Sequence, residues 1–398
     1  MNANTRNYLD NAATSWPKPE SVYLAMDQFS REVGAAAGRG NYRAATMAGE
    51  LVSSCRLKLR SLVNAPHAKQ IAFFSNGTAA LNAAIFGVIK QGDHVVTTVL
   101  EHNSVLRPLQ SLGDRGVIRL TIVECNNAGQ VDTERLLDAV DDKTSLVAVT
   151  HASNVTGAVQ DVRAIGERLA DHRALFLCDA AQTLGYLPLD MTECGIDLLA
   201  SPGHKGTLGP LGTGMLAVSD KAVGRLLPTV FGGTGSISES LNMPDQLPEM
   251  LEAGNLNVPA IAGWNAALTY LKALDPVQNV AHRQRLCARI GEKFDAFEGG
   301  FAVFGRDLPL ASLVFDSLEP GLIANLLDSE FSIEVRSGLH CAALVHNHLE
   351  HLHSRRASNE GKYQGTVRIS AGHFTSLEQI DAAAEAVHDL INELSKTH

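Results

Sequence analysis

Apolar, β-rich runs alternate with helical stretches between about residues 71 and 220. The runs predict strands at 70–74, 94–99, 118–123, 145–150, 174–178, 198–200 and 215–218. Three of the segments between them have helical periodicity, at 78–89, 133–140 and 162–170. Alternation of this kind is typical of a parallel sheet with crossover helices.

The pattern changes after residue 220. Residues 221–260 are rich in Gly and Pro, which indicates a surface or interface segment. The later segments predict helices at 258–274, at 283–297 and from 377, strands near 313–315 and 366–370, and a polar loop at 346–363. We therefore predict an α/β protein with a large domain over 14–265 and a smaller α+β domain over 266–398 together with 1–13.

Polar residues follow five of the predicted strands, in the turns SNGT, EHNS, HASN, DAAQT and SPGHKG. Ligands of such sheets bind at the carboxyl ends of the strands. Five strand ends with hydrogen-bonding or ionisable groups are more than solubility requires, so we expect one convergent site.

Composition narrows the ligand class. The 398 residues are 45% hydrophobic and 19% charged, values typical of a folded enzyme. A net charge of −10 without a long basic run argues against nucleic acid and favours a small molecule. No apolar run approaches the length of a membrane span or a signal peptide, and six scattered cysteines suit a reducing cytoplasm.

Two ionisable residues stand at predicted strand ends. Lys205, in Gly-His-Lys-Gly, can lose a proton when desolvated and attack a carbonyl, although the tetrapeptide alone also allows a solvated loop lysine. Asp179 ends an apolar strand, where a buried carboxylate needs a cationic partner. A protonated pyridine nitrogen would serve, while metal binding and helix capping stay open as alternatives.

Residues 75–82, SNGTAALN, predict a strand–turn–helix junction whose free N–H groups suit a phosphate, with the Thr78 hydroxyl as a further donor. A simple N-cap by Ser75 or Asn76 is the alternative. No dinucleotide or P-loop glycine motif is present, which lowers the case for a nucleotide-binding oxidoreductase. His102, after the second strand, can stack on a planar ring, relay protons or be structural.

These motifs in this order resemble the class V aminotransferase family of fold-type I pyridoxal 5'-phosphate (PLP) enzymes, and within it the cysteine desulfurases. The similar segments span nearly the whole chain: YLDNAATSWPKP, SNGTAALN, LEHNSVLRPL, HASNVTG, CDAAQTLG, SPGHKGTLGPLGTG, EAGNLN, RSGLHCA and GTVRIS. The set is highly specific for the fold and the cofactor and less specific for the reaction. It implies a homodimer in which EAGNLN, and the FGGTGS region, help to complete the neighbouring site.

The resemblance also implies residue roles. Lys205 would carry PLP as a Schiff base, and Asp179 would pair with the pyridine nitrogen. The other implied cofactor contacts are Gln182 at the ring hydroxyl, His102 on the ring face, Gly77, Thr78 and His204 at the phosphate, and Asn255 from the partner subunit. Asn154 and Arg368 match the positions that bind the substrate α-carboxylate.

Cys341, in RSGLHCA, matches a cysteine on a mobile loop that takes sulfur from the substrate as a persulfide, leaving alanine. This chemistry needs an accessible thiolate, which nearby His340 or Arg336 would favour. The alternative is an inert, buried small hydrophobe.

The chain departs from the family pattern in three places. Pro202 replaces a hydroxyl residue that contacts the phosphate, unless Ser201 or water substitutes, and Asn255 replaces a threonine. The third departure is the long His-rich segment after Cys341. The simpler interpretation of its histidines, at 346, 348, 351 and 353, is that water solvates them, and we predict no metal site. We expect this segment to alter access to Cys341.

Three rival functions stay open at this point. A PLP-dependent C–S or C–Se lyase, of the cystine or selenocysteine type, would use the same site without Cys341 as sulfur carrier. Another class V aminotransferase-like activity is the second. A non-catalytic sulfur-relay protein would keep the fold and act through protein contacts.

Overall fold

The computed structural model describes residues 6–38, 40–235, 239–297, 299–356, 363 and 365–394, without the side chains of residues 296, 353, 355 and 356. In chain order the strands are β1 (Asn7–Tyr8), β2 (Ile71–Phe74), β3 (Asp93–Thr98), β4 (Ile118–Val123), β5 (Thr144–Thr150), β6 (Leu175–Asp179), β7 (Leu198–Pro202), β8 (Gly214–Val218), β9 (Ala296–Phe297), β10 (Gly300–Phe304), β11 (Leu310–Phe315), β12 (Ile333–Glu334), β13 (Arg336–Gly338) and β14 (Thr366–Ser370).

The α-helices are α1 (Glu20–Gln28), α2 (Arg43–Val63), α3 (Gly77–Val88), α4 (Asn103–Asp114), α5 (Thr133–Asp138), α6 (Val162–Leu169), α7 (Asp220–Val223), α8 (Val258–Ala273), α9 (Pro276–Phe294), α10 (Pro320–Phe331), α11 (Ala343–Arg356) and α12 (Leu377–Leu394). None of the helices in these described ranges combines the length and the apolar composition needed to cross a bilayer.

The larger sheet has the strand order β2, β8, β7, β6, β5, β3, β4. Its pairings are parallel except those of β8, which runs antiparallel to both neighbours. Every residue of β5, β6, β7 and β8 is buried, as expected for strands covered by helices on both faces. The predicted α/β architecture with a mostly parallel sheet is confirmed.

A smaller, antiparallel sheet has the strand order β13, β14, β11, β10, β9. Its core includes apolar residues of α9, α10 and α12. The N-terminal segment belongs to this part of the fold, because β1 pairs with β12 and the Asn11 N–H donates to the Ser370 carbonyl at 3.1 Å. The chain therefore begins on the smaller sheet and reaches the carboxyl edge of the larger sheet near residue 12.

Two predictions for the C-terminal part were wrong. Residues 346–363 were expected to form a loop, yet α11 covers 343–356, while 357–362 lie outside the described residues. Apolar residues at 342, 345, 349 and 352 recur at helical spacing and pack in one cluster, which outweighs the polar composition of the rest. The helix expected at 283–297 begins earlier, at Pro276, because Asp275 caps it by accepting from the N–H groups of Val277 and Gln278.

The Gly- and Pro-rich segment around 221–257 is held to the large sheet by a buried ion pair. Glu252 accepts from both terminal nitrogens of Arg56, at 2.8 and 3.0 Å, and from the Phe73 N–H at 2.6 Å. Both side chains of the ion pair are about nine-tenths buried, at 11% and 8% exposure. Their contacts join α2, β2 and the irregular segment.

Replacing Glu252 with alanine is expected to lower the free energy of unfolding by about 3–5 kcal/mol, because it leaves the Arg56 guanidinium buried without its carboxylate. Glu167→Ala is the matched control: its pair with Arg163 is more than half exposed and should change stability by at most about 1 kcal/mol. Urea unfolding followed by circular dichroism measures both. Equal losses in the two variants would contradict this account of the buried pair.

Candidate active site

One cavity of about 210 Å³ lies at the carboxyl edge of the larger sheet, where all five predicted polar turns contribute to its wall. It is lined by Ala12, Ala13, Asn76, Gly77, Thr78, Leu81, His102, Ser104, Thr150, Ala152, Asn154, Asp179, Ala181, Gln182, Pro202, His204, Lys205, Arg336, His340 and Arg368. The expected convergence is therefore present, and two segments of the smaller sheet complete the wall. Cys341 and Asn255 do not line the cavity.

Lys205 follows β7 and extends into this cavity. Burial lowers the pKa of its ammonium to about 8; the carboxylate of Asp179 opposes this shift, and the guanidinium groups of Arg368 and Arg336 add to it. The amine therefore exchanges protons close to neutral pH, which a nucleophile or general base requires.

Asp179 is the last residue of β6 and is buried. Burial raises the pKa of its carboxyl group, while the Ala181 N–H, 2.9 Å from Oδ1, and the nearby Lys205 charge lower it. No Lys, Arg or His of the described chain lies within salt-bridge distance of it. A buried carboxylate at a cavity wall suits a ligand that brings its own positive charge.

His102 caps the N-terminus of α4 and lines the cavity from β3. Its Nδ1 accepts from the Ser104 N–H at 3.0 Å, so the neutral ring carries its proton on Nε2. Burial, followed by the Lys205 charge, lowers the pKa of His102 to about 4. The ring is therefore neutral at physiological pH and fits beside a planar ligand.

The N-terminus of α3 forms the end of the cavity that suits an anion. Asn76 caps this helix, and the Thr78 hydroxyl bonds to Ser104 Oγ at 2.7 Å. Gly77 packs against β7 so closely that a Cβ there would lie 3.0 Å from Cδ of Pro202. His204 adds a buried Nδ1 without a hydrogen-bond partner among the described residues. Free donors at a helix N-terminus are the usual environment of a phosphate.

Gln182 lies one turn after Asp179 and is buried against the N-terminal segment. Its side-chain Nε2 donates to the Ala12 carbonyl at 3.2 Å. Gln182 and Ala12 both line the cavity. The N-terminal segment therefore contributes to the cavity wall on the side of β6.

Arg368, on β14, brings a guanidinium group from the smaller sheet into the cavity. It is 1% exposed and donates to the Asn154 carbonyl at 3.0 Å and to the Asp10 carboxylate at 2.6 Å. Its Nε has no partner among the described residues. The Asn154 amide lines the same wall and donates one hydrogen bond, at 2.7 Å, to the His340 carbonyl. This pairing suits a carboxylate ligand.

Cys341 lies between β13 and α11, next to the cavity. Arg336, which lines the cavity, donates from Nη2 to Cys341 Sγ at 3.4 Å. Cys341 is half-buried, so it differs from the fully buried Cys55 and Cys178.

Pro202 and Asn255, the two residues that depart from the family's cofactor motifs, lie in different environments. Pro202 lines the cavity, whereas the hydroxyl of Ser201 bonds to the Pro202 carbonyl at 3.2 Å and does not replace the missing donor. The Ser104 hydroxyl also lies at the cavity, 2.7 Å from both Thr78 Oγ1 and His102 Nδ1. Asn255 is exposed on this chain.

The His-rich segment forms a helix whose members differ in environment. His346 is buried, His348 is half-buried and His351 is exposed. Among the described side chains no three His, Cys, Asp or Glu groups come close enough to hold a metal ion. The side chain of His353 lies outside the described residues.

Sequence reasoning gave no role to Ser104, did not place Arg336 and His340 in the cavity wall, and missed Asp10 as the partner of Arg368. Ser104 stands two positions after His102, the spacing at which a capping residue meets a backbone N–H. Arg336 was considered only as a neighbour of the thiol, although it lines the cavity itself. Asp10 lies in the quoted N-terminal motif, and its ion pair with Arg368 spans most of the chain, so local pattern gave no signal for it.

Comparison with known proteins gives a consistent result. The family model described as aminotransferase class-V matches residues 7–383. A probable cysteine desulfurase of Methanothermobacter thermautotrophicus is 34% identical, over 96% of this chain and 94% of the relative. A probable cysteine desulfurase of Pyrococcus abyssi is 32% identical, over 97% of this chain and 94% of the relative.

Solved structures show the same fold. A cysteine desulfurase from Thermococcus onnurineus, determined in its apo form, superposes with a TM-score of 0.88 at 29% identity and covers 98% of this chain and 96% of its own. A cysteine desulfurase from Escherichia coli gives a TM-score of 0.85 at 25% identity, with coverage of 98% and 96%.

Proposed function

The chain belongs to the class V aminotransferase family, and from this premise we propose that it is a PLP-dependent cysteine desulfurase. In this reaction L-cysteine becomes L-alanine, and its sulfur is transferred to Cys341 as a persulfide. One observation carries the proposal: Arg336 lines the cavity that contains Lys205 and also contacts Cys341 Sγ at 3.4 Å. The Cys341 sulfur is therefore separated from the cavity that holds the Lys205 amine by a single side chain, that of Arg336.

The residues of the cavity fit PLP. Asp179 is a buried carboxylate that needs a cation, and a pyridine nitrogen supplies one. The unpartnered Nδ1 of His204 and the α3 N-terminus with Thr78 offer donors to a phosphate. Gln182 and His102 would hold the ring from its edge and its face. Asn255, exposed on this chain, would reach the cofactor of a second subunit.

When bound, PLP supplies an aldehyde that reacts with amines and a ring that accepts electron density from the substrate Cα. Lys205 can then take the proton from Cα on its Nζ, since burial lowers the pKa of this amine to about 8. His102 remains neutral, because burial lowers its pKa to about 4. Its Nε2 carries the ring proton and can donate it to a ligand in the cavity.

The substrate is held by its carboxylate. Arg368 has an unpartnered Nε among the described residues, and its Nη1 and Nη2 are engaged by Asn154 and Asp10. These two contacts fix the plane of the guanidinium, while Asn154 retains a second amide hydrogen for the ligand. Both residues would therefore hold the substrate carboxylate, and Arg368 pairs in register with Arg336, the residue that contacts Cys341.

Sulfur transfer is a displacement at the sulfur atom of the substrate. The Cys341 thiolate attacks Sγ, the Cβ–Sγ bond breaks, and its electron pair stays with Cβ, which takes up a proton. Lys205 then returns a proton to Cα, so that cysteine becomes alanine, and the transferred sulfur is oxidised as Cβ is reduced. Arg336 stabilises the negative charge on Cys341 before the attack and on the persulfide after it.

Incubation with L-cysteine should release alanine and leave Cys341 one sulfur atom heavier. Without an acceptor thiol, we expect about one alanine per subunit in the first turnover, because the persulfide blocks the nucleophile. Chromatography measures alanine, and peptide mass spectrometry locates the sulfur. Release of pyruvate and ammonia with an unmodified Cys341 would contradict the desulfurase and support a lyase.

We also propose a homodimer in a reducing compartment such as the cytoplasm. Large apolar side chains are well exposed on this chain, including Leu211 at 65%, Phe231 at 74% and Leu241 at 106%. Exposed apolar residues of this size are typical of an interface. All six cysteines are unpaired, which fits a reducing environment.

A further inference from the structure

The loop that carries Cys341 has a strained backbone. His340 and Cys341 have φ values of 49° and 58°, in the left-handed region that residues with a Cβ rarely adopt. Two consecutive residues in this conformation persist only where the surrounding structure holds them. The contacts of this loop therefore determine where the thiol lies.

Two hydrogen bonds from the larger sheet's edge hold the loop on one side. The Asn103 N–H, at the start of α4, donates to the Cys341 carbonyl at 2.7 Å. The Asn154 side chain donates to the His340 carbonyl, also at 2.7 Å. Asn154 lines the cavity itself, and Asn103 lies between two residues that do, His102 and Ser104.

Helix α11 begins two residues after Cys341 and holds the loop on the other side. Ala342, Val345 and Leu349 are fully buried in a cluster with Leu100 from the large sheet's edge and Val314 from the smaller sheet. The helix thus fills the seam between the two sheets. Its first turn cannot move away without exposing these side chains to water.

A chain of aromatic side chains connects this helix to the loop. The His340 Nε2 bonds to the Thr366 hydroxyl at 2.8 Å, and its ring centroid lies 5.9 Å from that of His346. His346 in turn bonds through Nδ1 to the Tyr363 hydroxyl.

The ring of His346 reaches the loop through the ring of His340. Burial lowers the pKa of His346 to about 4, and the Leu339 carbonyl opposes this shift. Its Nε2 has no hydrogen-bond partner among the described residues. His346 is therefore a neutral, buried ring between Tyr363 and the Cys341 loop.

We propose that α11 clamps the Cys341 loop, and that His346 is the positioning residue through which the helix and Tyr363 keep the thiol beside the cavity. This role differs from the solvated histidines and the mobile loop expected from the sequence. Its catalytic consequence rests on the proposed desulfurase function, whereas the clamp itself does not.

His346→Leu in the PLP-loaded enzyme is the first test, and His351→Leu, on an exposed position of the same helix, is its control. Without the clamp we expect the Asn103 amide to exchange its hydrogen at least about tenfold faster, because the carbonyl that it donates to is released. Cys341 should be alkylated by iodoacetamide faster by a similar factor. For cysteine desulfuration, kcat should fall about tenfold or more with KM within about twofold.

Two further variants separate positioning from general destabilisation. Tyr363→Phe removes only the hydroxyl and should reproduce the faster exchange and alkylation in a folded protein. His346→Asn should restore much of the wild-type behaviour, because its Oδ1 can accept from Tyr363 in place of Nδ1.

The outcomes are distinct. Exchange at Asn103 and alkylation of Cys341 that match wild type in both His346→Leu and Tyr363→Phe would overturn the clamp. A fall in kcat together with a rise in KM, without faster hydrogen exchange at the Asn103 amide, would also overturn it. If wild-type enzyme fails to desulfurate cysteine while exchange still responds to these variants, the proposed function fails and the clamp stands.

Discussion

Replacing Lys205 with alanine is expected to lower kcat for cysteine desulfuration by at least about a thousandfold, because the group that moves the Cα proton is lost. The wild-type holoenzyme should be yellow, and borohydride should fix the cofactor to the Lys205 peptide. The alanine variant should not be labelled. Absorbance, peptide mapping and steady-state kinetics measure the three effects.

The variant Lys205→Arg tests whether Lys205 acts by transferring a proton or only through its positive charge. A guanidinium keeps the positive charge near Asp179 but cannot lose its proton in a protein. We therefore expect this variant to be as inactive as Lys205→Ala. Retention of more than about a tenth of the activity would mean that the ammonium acts as a charge only, and that the proton moves elsewhere.

Lys18 is the amine most readily confused with Lys205. Burial lowers the pKa of Lys18 to about 7, and its Nζ donates to the His204 carbonyl and to Ser15 Oγ, both at 2.7 Å. It does not line the cavity, so it should remain unlabelled by borohydride. Cofactor fixed to the Lys18 peptide would overturn the assignment of Lys205.

Local patterns predict the large sheet well because six of its seven strands contain apolar runs and are buried along nearly their whole length. The predicted bounds of β4, 118–123, agree with the structure, those of β5 differ by one residue at one end, and those of β6 differ by one residue at each end. Strands buried on both faces need no knowledge of their neighbours to be recognised. The polar turns after them then identify the cavity edge.

The C-terminal part was predicted less well because its stability depends on partners distant in sequence. α11 looks like a polar loop until its apolar positions are placed in the seam between the sheets. Arg368 was found through its motif, but its fixed orientation comes from Asp10, which local pattern does not reveal. The short strand β13 is recognisable only through its pairing with β14.

Cys341→Ser decides between the desulfurase and the lyase. A serine hydroxyl has nearly the shape of the thiol but is hardly ionised at neutral pH, so alanine formation from cysteine should fall at least about a thousandfold. Cys194→Ser, at another partly exposed cysteine outside the cavity, is the control and should retain wild-type turnover.

Substrate binding should survive in Cys341→Ser, because Arg368 and Asn154 are unchanged. The absorbance change on adding cysteine should therefore persist while product formation stops, which separates loss of the nucleophile from loss of the site. A panel of cystine, selenocysteine and cysteine extends the test. The serine variant could instead turn over cysteine at a wild-type rate, with pyruvate or sulfide as product. That result would show that Cys341 carries no sulfur. The contact of Arg336 with Cys341 would then serve only the fold.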